Sequence, residues 1–207
     1  LNIAAVHGCP TIFFCRNNGY AISTGVKDQY AGDGIAPRGP AYGLPTIRID
    51  GNDALAVVDA TMRARRIAID EGRPVLIEAM TYRIGAHSTS DDDSKYRVSE
   101  PPVEGYDTER DYWEARSPIL RFGKYLSTRG LWTEAEEATL REEERARSIR
   151  ALNDAEKVAL PHLRHLFTDV YDEMPTMLHE QQAQLKDHLQ RYAEHYPELV
   201  KEDVNSL

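Results

Sequence analysis

The chain has 207 residues, of which 41% are hydrophobic and 29% are charged, and its formal net charge is −9. A chain of this length and composition can bury a core as one large domain or two small ones. The negative charge argues against a general nucleic-acid or anionic-membrane surface, and no apolar run reaches the roughly 20 residues that span a bilayer.

The first predicted element is a core strand over Thr11–Cys15, a short β-rich apolar run that ends in a turn at Asn17-Asn18-Gly19. The opening residues lead directly into this strand, so we expect further sequence to precede Leu1. Residues 23–45 are rich in Gly and Pro, which predicts a long loop.

A second strand, a helix and a third strand are predicted next. Thr46–Ile49 has the pattern of a strand, and either Asn52 or Asp53 can cap the helix. Val75–Met80 is an apolar run typical of a parallel strand that is buried on both faces. The helix carries one apolar stripe, formed by Leu55, Val58, Met62 and Ile69. This order predicts an α/β fold, the end of a doubly wound domain.

The composition changes after the third strand. Residues 83–102 are rich in Ser, Thr, Asp, Gly and Pro and have no periodicity, which predicts a long surface loop of a kind that often carries function. Beyond it the sequence predicts helices. We therefore divide the chain into residues 1–85, an α/β part, residues 86–105, a loop, and residues 106–207, a helical C-terminal region.

Local signals mark three of these helices. Ser117-Pro118 opens one, and Thr133 with Glu136 forms a capping box at the start of a highly charged one. The last helix carries a stripe formed by Leu178, Leu185, Leu189 and Tyr192.

Two segments have residue types that can carry chemistry. Arg16 to Tyr20 follow the carboxyl end of the first strand, where open α/β sheets present ligand sites. An Arg there can pair with a phosphate, and an Asn side-chain oxygen and a backbone carbonyl suit Mg²⁺. Asn18-Gly19 is also a common turn signal, and spacing alone favours that interpretation.

The second segment contains His87 and Ser88. The His87 imidazole lies beside flexible backbone, where it could act as an acid or base near neutral pH. Ser88 could be phosphorylated or could belong to a solvated turn. Taken without comparison, both residues fit ordinary loop positions better.

Several blocks of sequence resemble the α subunits of branched-chain 2-oxo acid dehydrogenases. The blocks are FFCRNNGYAIST (Phe13–Thr24), YAGDGIAPRGPAYG (Tyr30–Gly43), IRIDGND (Ile47–Asp53) and LIEAMTYRIGAHSTSDD (Leu76–Asp92), with FTDVYDEMP and QRYAEHYP near the C-terminus. Pyruvate dehydrogenase α subunits are the nearest rivals, but they usually differ after the double Asn and carry a Met in the His-Ser loop. The resemblance therefore favours the branched-chain type and covers nearly the whole chain.

The resemblance implies thiamin diphosphate and Mg²⁺ as cofactors, with residues 1–85 as a remnant of a doubly wound thiamin-diphosphate-binding domain. It implies that Arg16 contacts the diphosphate. It also implies that the Asn18 side chain and the Tyr20 carbonyl bind Mg²⁺. Ile22 would form part of the cofactor wall, and His87 would contact the cofactor at the reacting centre.

Residues 86–105 resemble the family's active-site and regulatory loop. In that loop a kinase phosphorylates the Ser directly after the His, which is Ser88 here. Val98 stands where a second phosphorylatable Ser is expected, so regulation at two sites is doubtful. The family positions that order the loop are matched by Arg83, Asp91, Tyr96 and Arg97.

The activity that the resemblance implies is that of 3-methyl-2-oxobutanoate dehydrogenase, the oxidative decarboxylation of branched-chain 2-oxo acids with acyl transfer to lipoamide. The implied partners are a β subunit in an α2β2 tetramer, a lipoyl-bearing acyltransferase, and a kinase and phosphatase, without nucleic acid or membrane. The implied location is the mitochondrial matrix, or the cytoplasm if the source is bacterial. Two alternatives stay open: a pyruvate or acetoin dehydrogenase α subunit, and a non-catalytic assembly module.

Overall fold

The computed structural model describes residues 1–97 and 104–197, together with residues 204 and 207. The chain divides into two units, Leu1–Glu137 and Ala138–Leu207. Within the described ranges, no helix is both long and apolar enough to cross a bilayer.

The described elements include both strands and helices up to residue 80 and are helical after it. In chain order they are α1 (Asn2–His7), β1 (Ile12–Asn17), β2 (Tyr20–Ala21), β3 (Thr24–Gly25), α2 (Arg38–Ala41), β4 (Thr46–Asp50), α3 (Ala54–Glu71), β5 (Val75–Met80), α4 (Ser94–Arg97), α5 (Glu109–Ala115), α6 (Pro118–Thr128), α7 (Glu134–Glu156), α8 (His165–Thr168) and α9 (Thr176–Arg191).

A three-stranded parallel sheet with the order β1-β5-β4 lies at the centre of the first unit. The middle strand, β5, is buried along almost its whole length, as its apolar sequence predicted. Ala64, Val75 and Ile77 form the core where α3 packs on the sheet. The predicted α/β class with a parallel sheet is therefore confirmed. Because the strands are parallel, β1, β4 and β5 all end at one edge.

The buried face of α3 differs from the predicted stripe. The stripe residues Leu55, Val58, Met62 and Ile69 are exposed, whereas Ala60, Ala64 and Ala68 on the opposite face are buried. Small side chains allow the helix backbone to approach the sheet closely, so the face with less apolar area packs inward. The predicted cap is confirmed, because the Asp53 side chain accepts the backbone N–H groups of Leu55 and Ala56.

The start of the chain and both predicted loops contain short elements that sequence patterns did not indicate. Helix α1 precedes the first strand and ends at Gly8 in a left-handed conformation, so the expectation of a chain that opens directly into a strand is wrong. Residues 23–45 contain β3, a 3₁₀ turn at Val26–Asp28 and α2. The second loop contains α4, and residues 98–103, including Val98 and Ser99, lie outside the described residues.

The helical signals of the C-terminal region were more reliable. Helix α6 begins at Pro118, as predicted. Thr133 and Glu136 form the predicted capping box before α7, with each side chain accepting the other residue's backbone N–H. In the second unit, Leu189 of α9 is buried.

Candidate active site

A fully buried carboxylate lies in the middle strand of the sheet. Glu78 has no exposed surface, and its two oxygens accept four hydrogen bonds. Its Oε1 accepts from the side-chain amide of Asn17 (2.7 Å) and the backbone N–H of Ile35 (2.8 Å). Its Oε2 accepts from the backbone N–H of Ala36 (2.7 Å) and Nε of Arg48 (2.9 Å). The carboxylate therefore joins β1, β4 and the loop that precedes α2.

These hydrogen bonds keep Glu78 ionised. Burial disfavours the charged form and would raise the pKa of Glu78, but the donors from Asn17, the two backbone amides and Arg48 outweigh it, so that the pKa lies below its usual value. Arg48 also donates to the side-chain carboxylate of Asp33 at 2.8 Å. A buried charge is tolerated when it is both paired and hydrogen-bonded, and Glu78 meets both conditions.

The double asparagine forms the turn between β1 and β2. Asn17 Oδ1 accepts the backbone N–H of Gly19 (3.3 Å), and Asn18 Oδ1 accepts the backbone N–H of Tyr20 (3.1 Å). Gly19 has φ 84°, a left-handed value that favours glycine. An amide oxygen has two lone pairs, so Asn18 can stabilise this turn and still coordinate a cation.

Arg16 lies at the same edge of the sheet, where β1 ends. Its side chain is exposed, and among the described residues no group forms a hydrogen bond or an ion pair with it. It lines a cavity of about 470 Å³ together with Asn52, Thr81, Tyr82 and Trp113. A guanidinium that is free at the mouth of a cavity is suited to an anionic ligand.

Ile22 has a strained backbone at the end of the β2 strand. Its φ is 56°, and no other non-glycine residue within the described ranges has a positive φ. Its carbonyl accepts a hydrogen bond from Nη2 of Arg83 at 2.6 Å. A β-branched residue in this region carries strain of order 1–3 kcal/mol, and such strain is concentrated at functional sites.

A chain of hydrogen bonds continues from Arg83 to the loop that contains His87. Arg83 Nη2 also donates to the Tyr96 hydroxyl (2.7 Å), which donates to Asp91 Oδ2 (2.7 Å). The same Asp91 oxygen accepts the backbone N–H of His87 (2.8 Å). The His87 N–H and the Tyr96 hydroxyl hold the pKa of Asp91 below its usual value. Ser88 is exposed, and its Oγ lies 3.1 Å from Ser90 Oγ.

Arg97 closes the base of this loop. It donates to the Asp93 carboxylate (2.9 Å), to the Tyr82 hydroxyl, and to the carbonyls of Arg83 (2.6 Å) and Gly85 (3.3 Å). Its side chain is largely buried. One guanidinium thus fixes both the strand exit at residues 82–85 and the helix α4.

The ring of Tyr20 packs between the turn and the loop. Its centroid lies 6.1 Å from that of Tyr82 and 5.7 Å from that of Tyr96. The guanidinium carbons of Arg83 and Arg97 lie 5.4 and 5.0 Å from the Tyr20 centroid, within the range of cation–π attraction. These contacts and the Ile22–Arg83 hydrogen bond connect the double-asparagine turn to the His87 loop.

The structure brings most of the sequence-predicted site residues into one network. That network contains Tyr20, Ile22, Arg83, Asp91, Tyr96, Arg97 and the His87 backbone. Within the described ranges, no side-chain hydrogen bond or ion pair joins Arg16 or Ser88 to it. Sequence reasoning missed Glu78 and its partner Arg48. The signal was available, because a Glu inside an apolar strand is almost never fully buried unless it is paired.

The chain is similar to known proteins over nearly its whole length. Residues 1–164 match the family model described as dehydrogenase E1 component. The mitochondrial 2-oxoisovalerate dehydrogenase subunit alpha of Homo sapiens is 52% identical over 197 residues, which are 95% of this chain and 42% of the human protein. The protein of the same name from Caenorhabditis elegans is 52% identical over 198 residues, 96% of this chain and 44% of that protein.

A plant relative shows the same extent of similarity. The mitochondrial 2-oxoisovalerate dehydrogenase subunit alpha 1 of Arabidopsis thaliana is 47% identical over 198 residues, 95% of this chain and 40% of that protein. The chain thus spans about two fifths of the length of the curated relatives it matches. The similarity predicted from separate residue blocks is confirmed for nearly the whole chain.

The hydrogen-bonded loop yields a prediction for Tyr96→Phe. Without the hydroxyl, Arg83 and Asp91 lose their shared partner, and the Asp91 contact to the His87 N–H weakens. We expect hydrogen–deuterium exchange at the His87 amide to rise about five- to ten-fold in the assembled protein, equivalent to roughly 1 kcal/mol for one hydrogen bond. Tyr42→Phe, which removes an exposed hydroxyl elsewhere, is the control. Unchanged exchange at His87 in Tyr96→Phe would show that this chain of hydrogen bonds does not hold the loop.

Proposed function

The chain belongs to the dehydrogenase E1 component family, and on that basis we propose that it forms part of the α subunit of a branched-chain 2-oxo acid dehydrogenase. The activity is oxidative decarboxylation of branched 2-oxo acids such as 3-methyl-2-oxobutanoate, with transfer of the acyl group to lipoamide. The observation that carries the proposal is the network from Tyr20 and Ile22 to the His87 loop, since it joins a cation-binding turn to a candidate acid–base residue.

The donor groups at the carboxyl edge of the sheet fit thiamin diphosphate and Mg²⁺. The free guanidinium of Arg16 pairs with the diphosphate, and the Asn18 side-chain oxygen and the Tyr20 carbonyl are neutral oxygen ligands of the kind that Mg²⁺ accepts. The exposed, strained Ile22 lies two residues after Tyr20 and contributes to the cofactor wall. The first part of the chain, residues 1–85, is then the end of a doubly wound cofactor-binding domain.

Bound thiamin diphosphate supplies a carbanion for attack on the 2-oxo carbon and takes up the electrons released with CO₂. The residues of this chain bind and orient it. The His87 imidazole lies on a loop whose backbone is held by Asp91. From that loop it would hydrogen-bond the cofactor and would give a proton to the thiolate that leaves when the lipoyl dithiolane ring opens. The partners are a β subunit in an α2β2 tetramer and a lipoyl-bearing acyltransferase.

Phosphorylation of Ser88 by a kinase, reversed by a phosphatase, regulates this activity in the proposed scheme. The Ser88 carbonyl accepts the backbone N–H of Asp91, so the two residues share a tight turn. A phosphate on Ser88 adds nearly two negative charges close to the Asp91 carboxylate. Repulsion opposes the contacts of Asp91 with His87 and Tyr96, and the described part of the loop, from His87 to Arg97, loses its order.

The remaining assignments follow from the same family. Residues 106–207 form the helical C-terminal region of the subunit. The protein acts in mitochondria, which the names of its relatives support. Within the organelle, we place it in the matrix.

Asn18→Ala tests the cation site in the subunit assembled with its β partner. Octahedral Mg²⁺ loses a neutral oxygen that it cannot replace without distortion, so we expect the Mg²⁺ concentration for half-maximal decarboxylation to rise roughly ten-fold or more. Arg16→Ala should raise the thiamin diphosphate requirement instead. Asn153→Ala, an exposed asparagine in α7, is the matched control. If Asn18→Ala and Arg16→Ala keep the wild-type requirements, the site is assigned wrongly.

Ser88→Glu tests the regulatory loop by comparing two assays on one protein. We expect lipoamide-linked turnover to fall about ten-fold or more, because a disordered loop cannot receive the lipoyl domain. Decarboxylation with an artificial electron acceptor should fall much less. Ser88→Gln introduces a side chain of the same size as Glu but without its charge, so this variant should retain lipoamide-linked turnover. Equal losses of lipoamide-linked turnover in Ser88→Glu and Ser88→Gln would show that side-chain volume causes the effect. Equal losses in both assays would show that the damage lies at the cofactor.

A further inference from the structure

Two segments of the proposed site meet at the buried carboxylate of Glu78. Asn17 directly precedes the proposed Mg²⁺ ligand Asn18, and its side-chain amide donates to Glu78 Oε1. The loop Tyr30–Gly43 donates two backbone N–H groups to the same carboxylate. Asn17 Nδ2 also lies 3.4 Å from the hydroxyl of Tyr30, so the loop contacts this asparagine directly as well.

We propose that Glu78 is a positioning residue for the metal-binding turn. Through Glu78, the orientation of Asn18 depends on how the loop Tyr30–Gly43 packs against the sheet. The proposal rests on the proposed function, because Asn18 is a metal ligand only within it. Glu78 itself contacts neither metal nor cofactor in this scheme. It acts through Asn17.

The side-chain amide of Asn17 is held at both ends. Its nitrogen is bound to Glu78, and its oxygen accepts the backbone N–H of Gly19, inside the turn that presents Asn18. An amide group is planar, so a displaced carboxylate rotates the whole group and moves its oxygen away from the Gly19 N–H. The Asn17 amide is neutral, so besides helping to keep Glu78 ionised its hydrogen bond fixes how the amide is oriented.

Two glycines of the loop provide a matched pair of substitutions. Gly34 and Gly43 both have left-handed φ values, 70° and 79°, so an alanine is strained by a similar amount at either position. A Cβ on Gly34 would lie 2.7 Å from Glu78 Oε1 and 2.8 Å from Arg48 Nη2. A Cβ on Gly43 would meet nothing within 4 Å. The difference between Gly34→Ala and Gly43→Ala thus reports displacement of the paired Glu78 and Arg48 side chains.

The first measurement is hydrogen–deuterium exchange at the Gly19 amide in the assembled protein without added cofactor. We expect faster exchange in Gly34→Ala than in Gly43→Ala, because the acceptor on Asn17 moves away. The second measurement is the Mg²⁺ concentration for half-maximal activity. It should rise roughly ten-fold in Gly34→Ala relative to Gly43→Ala, as for other residues that orient a ligand, with kcat at saturating Mg²⁺ within about two-fold. Identical behaviour of the two variants in both measurements would overturn the proposal.

Asn17→Ala tests the same coupling from the other side. It removes the link to the turn and leaves Glu78 with Ile35, Ala36 and Arg48, so the protein should fold while its Mg²⁺ requirement rises by a similar factor. A lower thermal midpoint with an unchanged Mg²⁺ requirement would overturn the positioning role and leave the proposed function intact. A wild-type enzyme without any Mg²⁺-dependent decarboxylation would overturn the proposed function and this inference together.

Discussion

A carboxylate that is buried in the middle of a sheet must be paired and hydrogen-bonded. Glu78 meets this requirement through contacts that connect several segments of the first unit. Four donors converge on it from three separate segments of the chain. Those contacts fix β4 through Arg48 and hold the loop before α2 against the sheet. They also reach the double-asparagine turn through Asn17. The site is therefore tied to the core of the sheet and does not depend on the surface loop alone.

A second network, made of hydrogen bonds, connects the turn after β1 to the surface loop that contains His87. Arg83 spans from the Ile22 carbonyl to the Tyr96 hydroxyl, and Tyr96 passes the connection to Asp91 and the His87 backbone. Most of these groups are partly exposed, so each contact contributes little free energy and is sensitive to nearby charge. In the proposed scheme, a phosphate on Ser88 adds nearly two negative charges, which oppose the contacts of the loop without unfolding the sheet.

The sequence predicted those features that depend on local signals. Asp53 caps α3, Pro118 opens α6, and Val75–Met80 is the buried parallel strand, because each signal lies within a few residues of the structure it specifies. The buried face of α3 could not be predicted this way. Ala60, Ala64 and Ala68 also recur at helical spacing, but a stripe of larger apolar side chains lies on the opposite face, and the close packing on the sheet that favours the alanines is a tertiary contact. The Glu78 network was also missed, since its donors lie as many as 61 residues away along the chain.

The sequence blocks that resemble the family predicted the site residues, and the structure shows the contacts that hold several of them. The central claim is that Asn18, Tyr20 and Arg16 form one cofactor site at the carboxyl edge of the sheet. A crystal structure of the subunit assembled with its β partner, Mg²⁺ and thiamin diphosphate tests it directly. The account predicts Asn18 Oδ1 and the Tyr20 carbonyl about 2.1 Å from Mg²⁺, and the Arg16 guanidinium on the diphosphate. A metal bound without Asn18 and Tyr20, or a diphosphate away from Arg16, would contradict it.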